Sequence, residues 1–444
     1  MFEKLKILWH YVRAKQGDHF KDRASLEKWQ DNQVQKFLKH ILPRSAFYQQ
    51  QLHGIDLCDW QKAPIIDKSV MMDNFNELNT VGITKDDAFA VAYKAEKERN
   101  FAPTIGRITV GLSSGTSGNR GLFLVSPEER CKWAGYILAK VLPGSLFDQH
   151  KIAFFLRANS NLYTTVNSRN LQVEFFDLLK PIDEHVAKLN DFKPTLLIAQ
   201  PQMLLLLARA IEEGHLSVHP HKIVSVAEVL DPMDEAHLTN AFGQKIHQVY
   251  QATEGFIAAT CKHGILHLNE DIIVVQKKYV DKALGKFVPI ITDFSRTTQP
   301  IIRYRLNDIL TERKEPCSCG SAFTAIEKIE GRSDDMLYFI GINKKDRIRV
   351  FPDFISRSII NASSVIEEYK VSQKADGEIF VQLKLTSGLG EASGDSIKQA
   401  ITRSMDSLAK QLAAKSPLIS FGEYTAPIKG EKLKRIERLK GGIS

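Results

Sequence analysis

Residues 111 to 121 read GLSSGTSGNRG, a stretch of four glycines, three serines and one threonine that ends beside an arginine. Such a composition is typical either of a flexible linker or of a loop that holds phosphate. Apolar and β-branched runs lie on both sides, RITVGL at 107–112 and GLFLVS at 121–126, and both have the local signature of strands. The stretch is therefore predicted to connect two strands rather than two domains.

The chemistry of this connection suits phosphate oxygens. Glycines let backbone N–H groups approach an anion closely, and the hydroxyls and the Arg120 guanidinium add hydrogen-bond donors. The spacing fits neither the Walker pattern, which needs Lys followed by Ser or Thr, nor the glycine spacing of the dinucleotide fingerprint. Spacing alone therefore leaves two interpretations open, a phosphate-binding loop and a plain hairpin.

Length and composition describe an ordinary globular protein. The 444 residues suffice for two or three domains, and 43% hydrophobic and 25% charged residues are typical of soluble chains. The longest apolar run, MLLLLA at 203–208, is too short to span a membrane, and five cysteines do not suggest a disulfide framework. Because the N-terminus lacks a signal-peptide pattern, a cytoplasmic protein without a membrane span is predicted.

The net charge of +8 and the pI near 9 favour an anionic ligand, nucleic acid or a membrane surface as a partner. The basic residues are dispersed except in KGEKLKRIERLKGG at 429–442. No zinc-finger, RNA-recognition or helix-turn-helix pattern accompanies that run. It is interpreted as a solvated basic segment, and no nucleic-acid partner is predicted.

The chain has two regions that differ in their pattern of predicted helices and strands. After a helical pattern over 1–55, strand-like and helical runs alternate from about 105 to 330, which predicts an α/β domain with buried sheets. Beyond GRSDD at 331–335, two strand-like runs, a long helix and a further strand predict a compact α+β unit. The predicted domains are therefore 1–332 and 333–444.

Two strand ends carry polar residues suited to nucleotide chemistry. In VYQATEG at 249–255, Thr253 could hold a phosphate and Glu254 a Mg²⁺, although an ordinary surface turn has the same composition. In RYRLND, Asp308 could accept hydrogen bonds from ribose hydroxyls, or it could pair with a neighbouring arginine.

Two further stretches could serve as a hinge between the domains and as a source of positive charge near a transferring phosphorus. Arg332 and the acidic pair after it lie at the predicted joint, as a hinge or as a polar linker. Lys432, in the basic C-terminal run, could stabilise charge developing on a transferring phosphorus, or it could be a solvated lysine.

The order of these stretches is more informative than any one of them. SSGTSGNRG, YQATE, RYRLND, GRSDD and GEKLKR, in that order, resemble the adenylate-forming enzymes, the acyl/aryl-CoA ligase superfamily. PIIDK near 64, AEVL at 227, CSCG at 317 and the paired Asp of GRSDDML are similar to the phenylacetate-CoA ligase branch. The resemblance, which runs from about residue 60 onward, implies a large N-terminal adenylate-forming domain with buried sheets and a small mobile C-terminal α+β domain.

The resemblance also implies a role for each motif. The glycine- and serine-rich loop would hold the leaving pyrophosphate of ATP, and Thr253 and Glu254 would meet the α-phosphate and Mg²⁺. Asp334 would be the hinge, and Lys432 the mobile lysine of the adenylation step. The residues implied to bind the nucleotide are Ser113, Ser114, Gly115, Thr116, Ser117, Gly118, Arg120, Ala227, Glu228, Tyr250, Asp308 and Arg332.

Two residues depart from the pattern of the resembling family. The loop ends in Arg120-Gly121 where many relatives carry Pro and then Lys or Thr, which puts the pyrophosphate contacts in doubt. Gln251 stands where Gly is usual, beside the expected acyl pocket.

The implied activity is ATP-dependent activation of a small carboxylic acid, an aryl or arylalkyl acid, through an acyl adenylate. Transfer would follow to the thiol of coenzyme A or of an acyl carrier protein. The alternatives are an amide-forming acid–amine ligase, because GTSGNRGLFLVS is also similar to indoleacetate–lysine ligases, and adenylylation of a hydroxyl. The oligomeric state is left open, a homodimer included. Five aromatic residues could line the acid pocket or belong to the core, namely Phe154, Phe155, Tyr163, Phe175 and Phe176.

Four residues have a pattern that suits a metal. Cys261, His267, Cys317 and Cys319 form C-x5-H followed by C-x-C, and such ligands suit tetrahedral zinc. Free core cysteines are the alternative, and His263 competes with His267 as a ligand. Members of the resembling branch often carry such a cluster, which favours a structural zinc with no open position for catalysis.

Overall fold

The computed structural model describes residues 2–16, 20–98, 100, 102–113, 120–156, 167–343, 346–363, 365–386, 391–426 and 434–439. The chain divides into two units. The first comprises Met1–Leu306 and Leu310–Lys328, and the second comprises Asn307–Ile309 and Ile329–Ser444. Both units combine helices with sheets, which confirms the predicted α/β class. The assignment of these units as a fixed and a mobile domain stays a prediction.

Five α-helices in the described part of the first unit begin at a side-chain cap. Asp67 accepts hydrogen bonds from the backbone N–H groups of Ser69 and Val70 and caps the helix that follows it. Of the helices in the described ranges, none is long and apolar enough to cross a bilayer. The α-helices are α1 (Phe2–Gln16), α2 (Arg23–Ile41), α3 (Ala46–Gln51), α4 (Lys68–Asp73), α5 (Phe75–Leu78), α6 (Lys85–Glu98), α7 (Pro127–Val141), α8 (Ile182–Phe192), α9 (Pro201–Glu212) and α10 (Pro232–Phe242), with 3₁₀ helices at Leu42–Arg44 and Leu57–Lys62.

Strands up to Arg332 form two sheets. They are β1 (Thr104–Ile105), β2 (Ile108–Leu112), β3 (Leu122–Val125), β4 (His150–Leu156), β5 (Leu171–Asp177), β6 (Leu196–Ala199), β7 (Lys222–Val226), β8 (Ile246–Ala252), β9 (Gly255–Thr260), β10 (Leu266–Leu268), β11 (Ile273–Asp281), β12 (Lys286–Asp293), β13 (Ile301–Arg305), β14 (Asp308–Glu312) and β15 (Ala325–Arg332).

The small sheet contains the two strands predicted around the glycine- and serine-rich loop. Its order is β1-β2-β3, and β2 pairs with β3 in antiparallel fashion, with Gly111 opposite Phe123 and Leu112 opposite Leu122. The backbone N–H of Ser113 donates to Gly121 O at 2.8 Å and closes the base of the loop. The prediction of a connection between two strands is confirmed.

The large sheet has a parallel half and an antiparallel half. Its order is β11-β12-β14-β15-β10-β9-β8-β7-β6-β4-β5, with β13 paired to β12. The strands β5, β4, β6, β7 and β8 run parallel, and α8, α9 and α10 connect β5 to β8 in turn. Parallel strands need such helical crossovers, and their carboxyl ends therefore lie at one edge of the sheet.

One face of the parallel half is filled by a hydrophobic core. Phe155, Leu197 and Ile223 point to this face and pack with Leu204 and Leu207 of α9. The next residues along each strand point to the opposite face because side chains alternate. That opposite face is the one that lines the candidate site.

The second unit contains two further small sheets. β16 (Leu337–Ile340) pairs with β17 (Arg347–Val350), and the other sheet has the order β20-β19-β18-β21. The strands are β18 (Ile366–Gln373), β19 (Glu378–Leu385), β20 (Leu418–Glu423) and β21 (Ile436–Arg438), and the helices are α11 (Pro352–Ile360), α12 (Glu391–Gln411) and a 3₁₀ turn at Ser333–Asp335. Ile355, Tyr369, Ile401 and Met405 are fully buried, so this unit has a core of its own.

Candidate active site

A cavity of about 380 Å³ lies between α7 and the parallel strands of the first unit. On the sheet side it is lined by alternate residues, among them Ile152 and Phe154 of β4 and Leu196 and Ile198 of β6. The helical side is lined at the spacing of one helix face, by Glu129, Lys132, Trp133, Tyr136, Ile137 and Val141. Most of the lining is apolar, and the volume is in the range of small-molecule sites.

The edge of the cavity coincides with the carboxyl ends of two neighbouring parallel strands. Ala227 follows β7 and Thr253 follows β8, and both line the cavity. In open α/β sheets, ligands bind outside the carboxyl ends of the strands. The structure therefore brings Ala227 of AEVL and Thr253 of YQATE, which are 26 residues apart in sequence, to one edge of one cavity.

Ala227 has a strained backbone. Its φ is +68°, and the N–H of Glu228 donates to Val226 O at 2.9 Å, so the three residues form a γ-turn with positive φ. Residues with a Cβ rarely adopt this conformation, and such strain is concentrated at functional sites. The strain is consistent with the implied position of Ala227 and Glu228 beside a ligand.

Glu254 is held by two hydroxyl groups. Thr253 Oγ1 donates to Glu254 Oε2 at 2.8 Å, and the Tyr304 hydroxyl donates to Glu254 Oε1 at 2.8 Å. Burial and the adjacent Glu254 carboxylate raise the pKa of Tyr304, so the phenol stays protonated and remains a donor. Arg296 Nη1 donates to Thr253 O at 2.5 Å and fixes the backbone of the motif. The carboxylate is thus oriented before any ligand binds.

Ser113 and Lys68 lie at the base of the glycine- and serine-rich loop. Ser113 Oγ accepts from Lys68 Nζ at 3.1 Å and from the Gly121 backbone N–H at 2.7 Å. A Cβ on Gly121 would lie 2.8 Å from Lys68 Cε, so a larger residue here would displace the lysine side chain. The predicted phosphate-loop residues Ser114, Gly115, Thr116, Ser117 and Gly118 lie outside the described residues.

Arg120, predicted to contact phosphate, forms a bidentate ion pair with the Glu96 carboxylate. Its Nη1 and Nη2 donate to the Glu96 carboxylate at 2.6 and 2.8 Å, and its guanidinium lies over the Tyr93 ring. The hydrogen bonds from Arg120 hold the pKa of Glu96 below its usual value. In the structure Arg120 therefore connects the loop to α6, and its contact with phosphate stays a prediction.

Lys132 and Asp293 are two of the four charged residues that line the mainly apolar cavity, the others being Glu129 and Arg296. Lys132 projects from α7, and Asp293, 1% exposed, ends β12. Within the described residues Lys132 makes no hydrogen bond or ion pair, whereas Asp293 Oδ1 accepts from the Ser295 backbone N–H at 2.8 Å. Burial lowers the pKa of Lys132, and the nearby Asp293 carboxylate offsets part of that lowering. Burial raises the pKa of Asp293. A polar ligand atom between them would gain both a donor and an acceptor.

Of the other predicted residues of the first unit, some line the cavity and others are buried away from it. Tyr250 is buried in β8 and is not among the residues that line the cavity, whereas its neighbour Gln251 lines it and accepts from Trp133 Nε1 at 3.3 Å. Among the aromatic candidates, Phe154 lines the cavity, but Phe155 and Phe176 stack in the core on the opposite face. Phe175 is half-buried, and Tyr163 lies outside the described residues.

Asp308 and Arg332 lie on adjoining segments of the second unit. Asp308 begins β14 and Arg332 ends β15, and the N–H of Ser333 donates to Asn307 O at 2.6 Å, which brings the two segments together. Asp334 lies in the 3₁₀ turn that follows Arg332. Lys432 lies outside the described residues, and the nearby Lys434 pairs with Asp335 at 3.2 Å.

The Cys/His pattern forms one cluster in the first unit. The ligand atoms of Cys261, His267, Cys317 and Cys319 all lie within 4.8 Å of one another. Cys261 Sγ is 3.7 Å from Cys317 Sγ, close to the separation of about 3.8 Å that Zn–S bonds of about 2.3 Å give in a tetrahedral site. His267 Nε2 is 3.4 Å from Cys319 Sγ, and its Nδ1 is 3.2 Å from Phe323 O, an arrangement typical of zinc-bound histidine. These residues could hold zinc, with His267 rather than His263 in the cluster.

Sequence reasoning missed four residues of the site. The PIIDK motif contains Lys68 but gives no reason to assign that residue a role. Tyr304 lies 50 residues from Glu254, whose carboxylate it contacts. Lys132 could have been found, because it interrupts an apolar helix face, and Asp293 because it ends the buried strand KFVPIITD.

Two relatives in sequence support this picture. No family model matches the chain. Protein CapK of Staphylococcus aureus is 23% identical over 359 residues, which is 76% of this chain and 74% of that protein. The phenylacetate-coenzyme A ligase of Pseudomonas putida is 27% identical over 222 residues, 46% of this chain and 48% of the ligase. The chain therefore matches about half the length of that ligase.

Solved structures show the fold over nearly the whole chain. A 2-hydroxyisobutyryl-CoA ligase, in the postadenylation state in complex with 2-HIB-AMP, superposes with a TM-score of 0.70 at 15% identity, covering 96% of this chain and 91% of the ligase. The acyl acid amido synthetase GH3.15 superposes with a TM-score of 0.55 at 13% identity, covering 90% and 86%. These similarities confirm the resemblance inferred from the motifs. The chain is similar in sequence to phenylacetate-coenzyme A ligases over about half of its length, and it has the fold of solved acyl- and aryl-CoA ligases.

Proposed function

We propose that the protein uses ATP to activate a carboxylic acid as an acyl adenylate, with release of pyrophosphate. The observation that carries the proposal is the apolar cavity whose edge lies at Ala227 and Thr253, the carboxyl ends of β7 and β8. A cavity of this kind accepts the organic body of an acid, while its carboxylate lies at the edge of the sheet where phosphates bind.

The residues at this edge suit the reaction. A carboxylate oxygen of the acid attacks the α-phosphorus of ATP, and the bond to pyrophosphate breaks. The Thr253 hydroxyl would turn from Glu254 to donate to the α-phosphate, and the Glu254 carboxylate would hold Mg²⁺, which neutralises phosphate charge when bound. Ser113 and the loop after it would hold the pyrophosphate. Asp308 would bind the ribose, Arg332 the nucleotide, and Ala227 and Glu228 would adjoin the adenine.

The acceptor in this proposal is the thiol of coenzyme A. The curated relatives named as ligases act with coenzyme A, and the acyl group of an adenylate passes readily to a thiol because AMP is a good leaving group. An acyl carrier protein would present the same thiol chemistry. An amine is the second candidate, favoured by the structural similarity to an acyl acid amido synthetase.

Acid-dependent pyrophosphate release from ATP and Mg²⁺ tests this proposal. Aryl, arylalkyl and fatty acids would be supplied one at a time, first alone and then with coenzyme A or with a set of amines. We expect release with one acid class, and multiple turnovers only after coenzyme A is added. Turnover with amines alone would replace the thiol with an amine. ATP binding without release for any acid would contradict acid activation and favour adenylylation of a hydroxyl.

The shape of the cavity bears on the class of acid. Its lining extends over five parallel strands, from β8 to β5, and four spacings of about 4.8 Å span about 19 Å. We propose an acid with an elongated apolar body, such as an arylalkyl acid, that carries an oxygen acceptor able to reach Lys132. Without such an acceptor, the Lys132 ammonium in the apolar cavity would lack a partner, which is costly.

Replacing Lys132 with methionine should change which acids are used. For an acid with an acceptor oxygen on its body, we expect kcat/KM for pyrophosphate release to fall by about 100-fold, because a site that provides a hydrogen bond loses it. For the matching acid without that oxygen, we expect less than about a threefold change. Each pair of acids would be measured on the same enzyme preparation.

The control variant is Ile137→Met, on the same face of α7 and also in the cavity lining. It changes the shape of the lining without changing charge, so it should affect both acids of a pair alike. An equal loss for both acids in Lys132→Met would show that the lysine serves the fold rather than selectivity.

We also propose that the cysteine and histidine cluster holds a structural zinc. The four ligands would complete a tetrahedron and leave no position for substrate. Cys317 and Cys319 lie in the connection between β14 and β15, and Cys261 follows β9. Zinc would therefore tie a long connection to the sheet.

Replacing Cys317 with serine should remove this metal. We expect purified protein to contain about one zinc per chain, and the variant close to none. The free energy of unfolding should fall by about 4 kcal/mol or more, as for other losses of a structural metal. Elemental analysis and denaturant unfolding are the measurements. Cys58→Ser is the control, because Cys58 is exposed and outside the cluster. Equal zinc content in both variants would contradict the assignment.

The second unit would supply the mobile part of the reaction. We propose that it reorients about Asp334 between adenylation and transfer, and that it carries Lys432 to the reacting phosphorus in the first step. The support is that both nucleotide-contacting candidates, Asp308 and Arg332, belong to that unit, and that Arg332 lies two residues before the proposed hinge.

A further inference from the structure

One face of helix α1 is firmly attached to the first unit. Ile7, Tyr11 and Ala14 are buried against it. A Cβ on Gly135 of α7 would lie 2.5 Å from His10 Cβ, so the two helices approach as closely as glycine allows. Ion pairs join Lys6 to Glu128 at 3.1 Å and Glu3 to Arg130 at 3.0 Å. The orientation of α1 is therefore fixed by packing and by charge.

The other face of α1 presents a continuous apolar stripe to solvent. Phe2, Leu5, Trp9 and Val12 are 82%, 58%, 56% and 43% exposed. Their spacing of three, four and three residues places all four on one side of a helix with 3.6 residues per turn. Single exposed apolar residues are ordinary, but an aligned set with two large aromatic rings marks an interaction surface.

Cations border this stripe on both sides. The helical repeat places Lys4 and Lys15 along one border and Lys6 and Arg13 along the other, and all four are exposed. Arg13 lies over the Trp9 ring, 5.3 Å from its centroid. The single acidic residue of α1, Glu3, pairs with Arg130 of α7. The surface around the stripe is thus positive.

We propose that α1 binds in the plane of an anionic lipid bilayer, with the apolar stripe among the acyl chains and the bordering cations at the lipid phosphates. Aromatic and aliphatic side chains on one face with Lys and Arg beside them are the features of helices that lie in a membrane interface. A second copy of the chain is a poorer partner, because pairing two stripes would bring the bordering cations of both copies together.

Flotation of the full-length protein with lipid vesicles tests the proposal. The vesicles would be phosphatidylcholine alone or phosphatidylcholine mixed with phosphatidylglycerol. We expect binding to the anionic vesicles and little binding to the neutral ones. In the triple variant Phe2→Ser, Leu5→Ser and Trp9→Ser, partitioning should fall by at least about 100-fold, because three large apolar groups no longer enter the lipid.

The matched control is Leu418→Ser, which removes an isolated apolar side chain that is 73% exposed on β20. It should bind vesicles as the unmodified protein does. Thermal unfolding of both variants checks that the fold is intact, since all the changed side chains are exposed. None of them belongs to the proposed active site, so this test stands apart from the test of acid activation.

A second variant separates charge from apolar insertion. The double variant Lys4→Gln and Arg13→Gln keeps the stripe. At low salt it should lower partitioning into anionic vesicles by about 30-fold in total, with about tenfold or less lost for each cation removed. Absence of binding to anionic vesicles, or binding that the stripe variant retains, would overturn the proposal. So would self-association through the stripe without vesicle binding, which would identify a second copy as the partner.

Discussion

Replacing Glu254 with glutamine should lower the rate of acid-dependent pyrophosphate release by about 100- to 1,000-fold. Glutamine has nearly the same shape, and its carbonyl oxygen can still accept the hydrogen bond from Tyr304 that the structure places on Glu254. What it lacks is the negative charge that would hold Mg²⁺ beside the phosphates. Release would be measured across a wide range of Mg²⁺ concentrations, and the residual rate should need more Mg²⁺ than the unmodified enzyme.

Tyr304→Phe is the matched control for that variant. It removes the hydroxyl that orients Glu254 but leaves the carboxylate and its charge. We expect a loss of less than about tenfold, in line with one hydrogen bond. If Glu254→Gln kept the full rate at every Mg²⁺ concentration, Glu254 would be a structural partner of Tyr304 and Thr253 and not the metal-binding residue.

Replacing Lys432 with alanine should slow adenylate formation by about 100- to 1,000-fold while leaving ATP binding nearly unchanged. The reason is that a cation placed on the transferring phosphorus stabilises charge that develops only in the transition state. Single-turnover pyrophosphate release and equilibrium ATP binding measure the two effects separately. Transfer from a preformed acyl adenylate to coenzyme A should be little affected, because the lysine would act in the first step.

Lys410→Ala provides the comparison, since Lys410 is an exposed lysine in the last turn of α12 within the same unit. It should have the activity of the unmodified protein. An unchanged adenylation rate in Lys432→Ala would remove that lysine from the mechanism. A parallel loss of ATP binding would instead indicate a contact with bound nucleotide in the ground state.

Local patterns in the sequence predicted the strands and the positions of most motifs. The hairpin around GLSSGTSGNRG depends on neighbours within a few residues, so sequence was sufficient. The same holds for Thr253 and Glu254, because a strand end followed by polar residues is a local feature. Motif order then led to the correct superfamily fold.

Contacts between distant residues could not be predicted in this way. The Tyr304–Glu254 and Lys68–Ser113 hydrogen bonds join residues that are 50 and 45 positions apart. The pairing of Arg120 with Glu96 was missed because α6 gives no sign in sequence of lying beside the loop.

The alternation of side chains in the parallel sheet has a consequence for how this enzyme could acquire new substrates. In β4, β6 and β7 the cavity is lined by even-numbered residues, and the hydrophobic core is built from odd-numbered ones. Leu196 and Leu197 are therefore adjacent in sequence, but a substitution at Leu196 would change the cavity whereas one at Leu197 would change the core. A library randomised only at the even positions would alter acid preference while sparing the folding core. Natural drift toward other acids could follow the same route, one strand at a time.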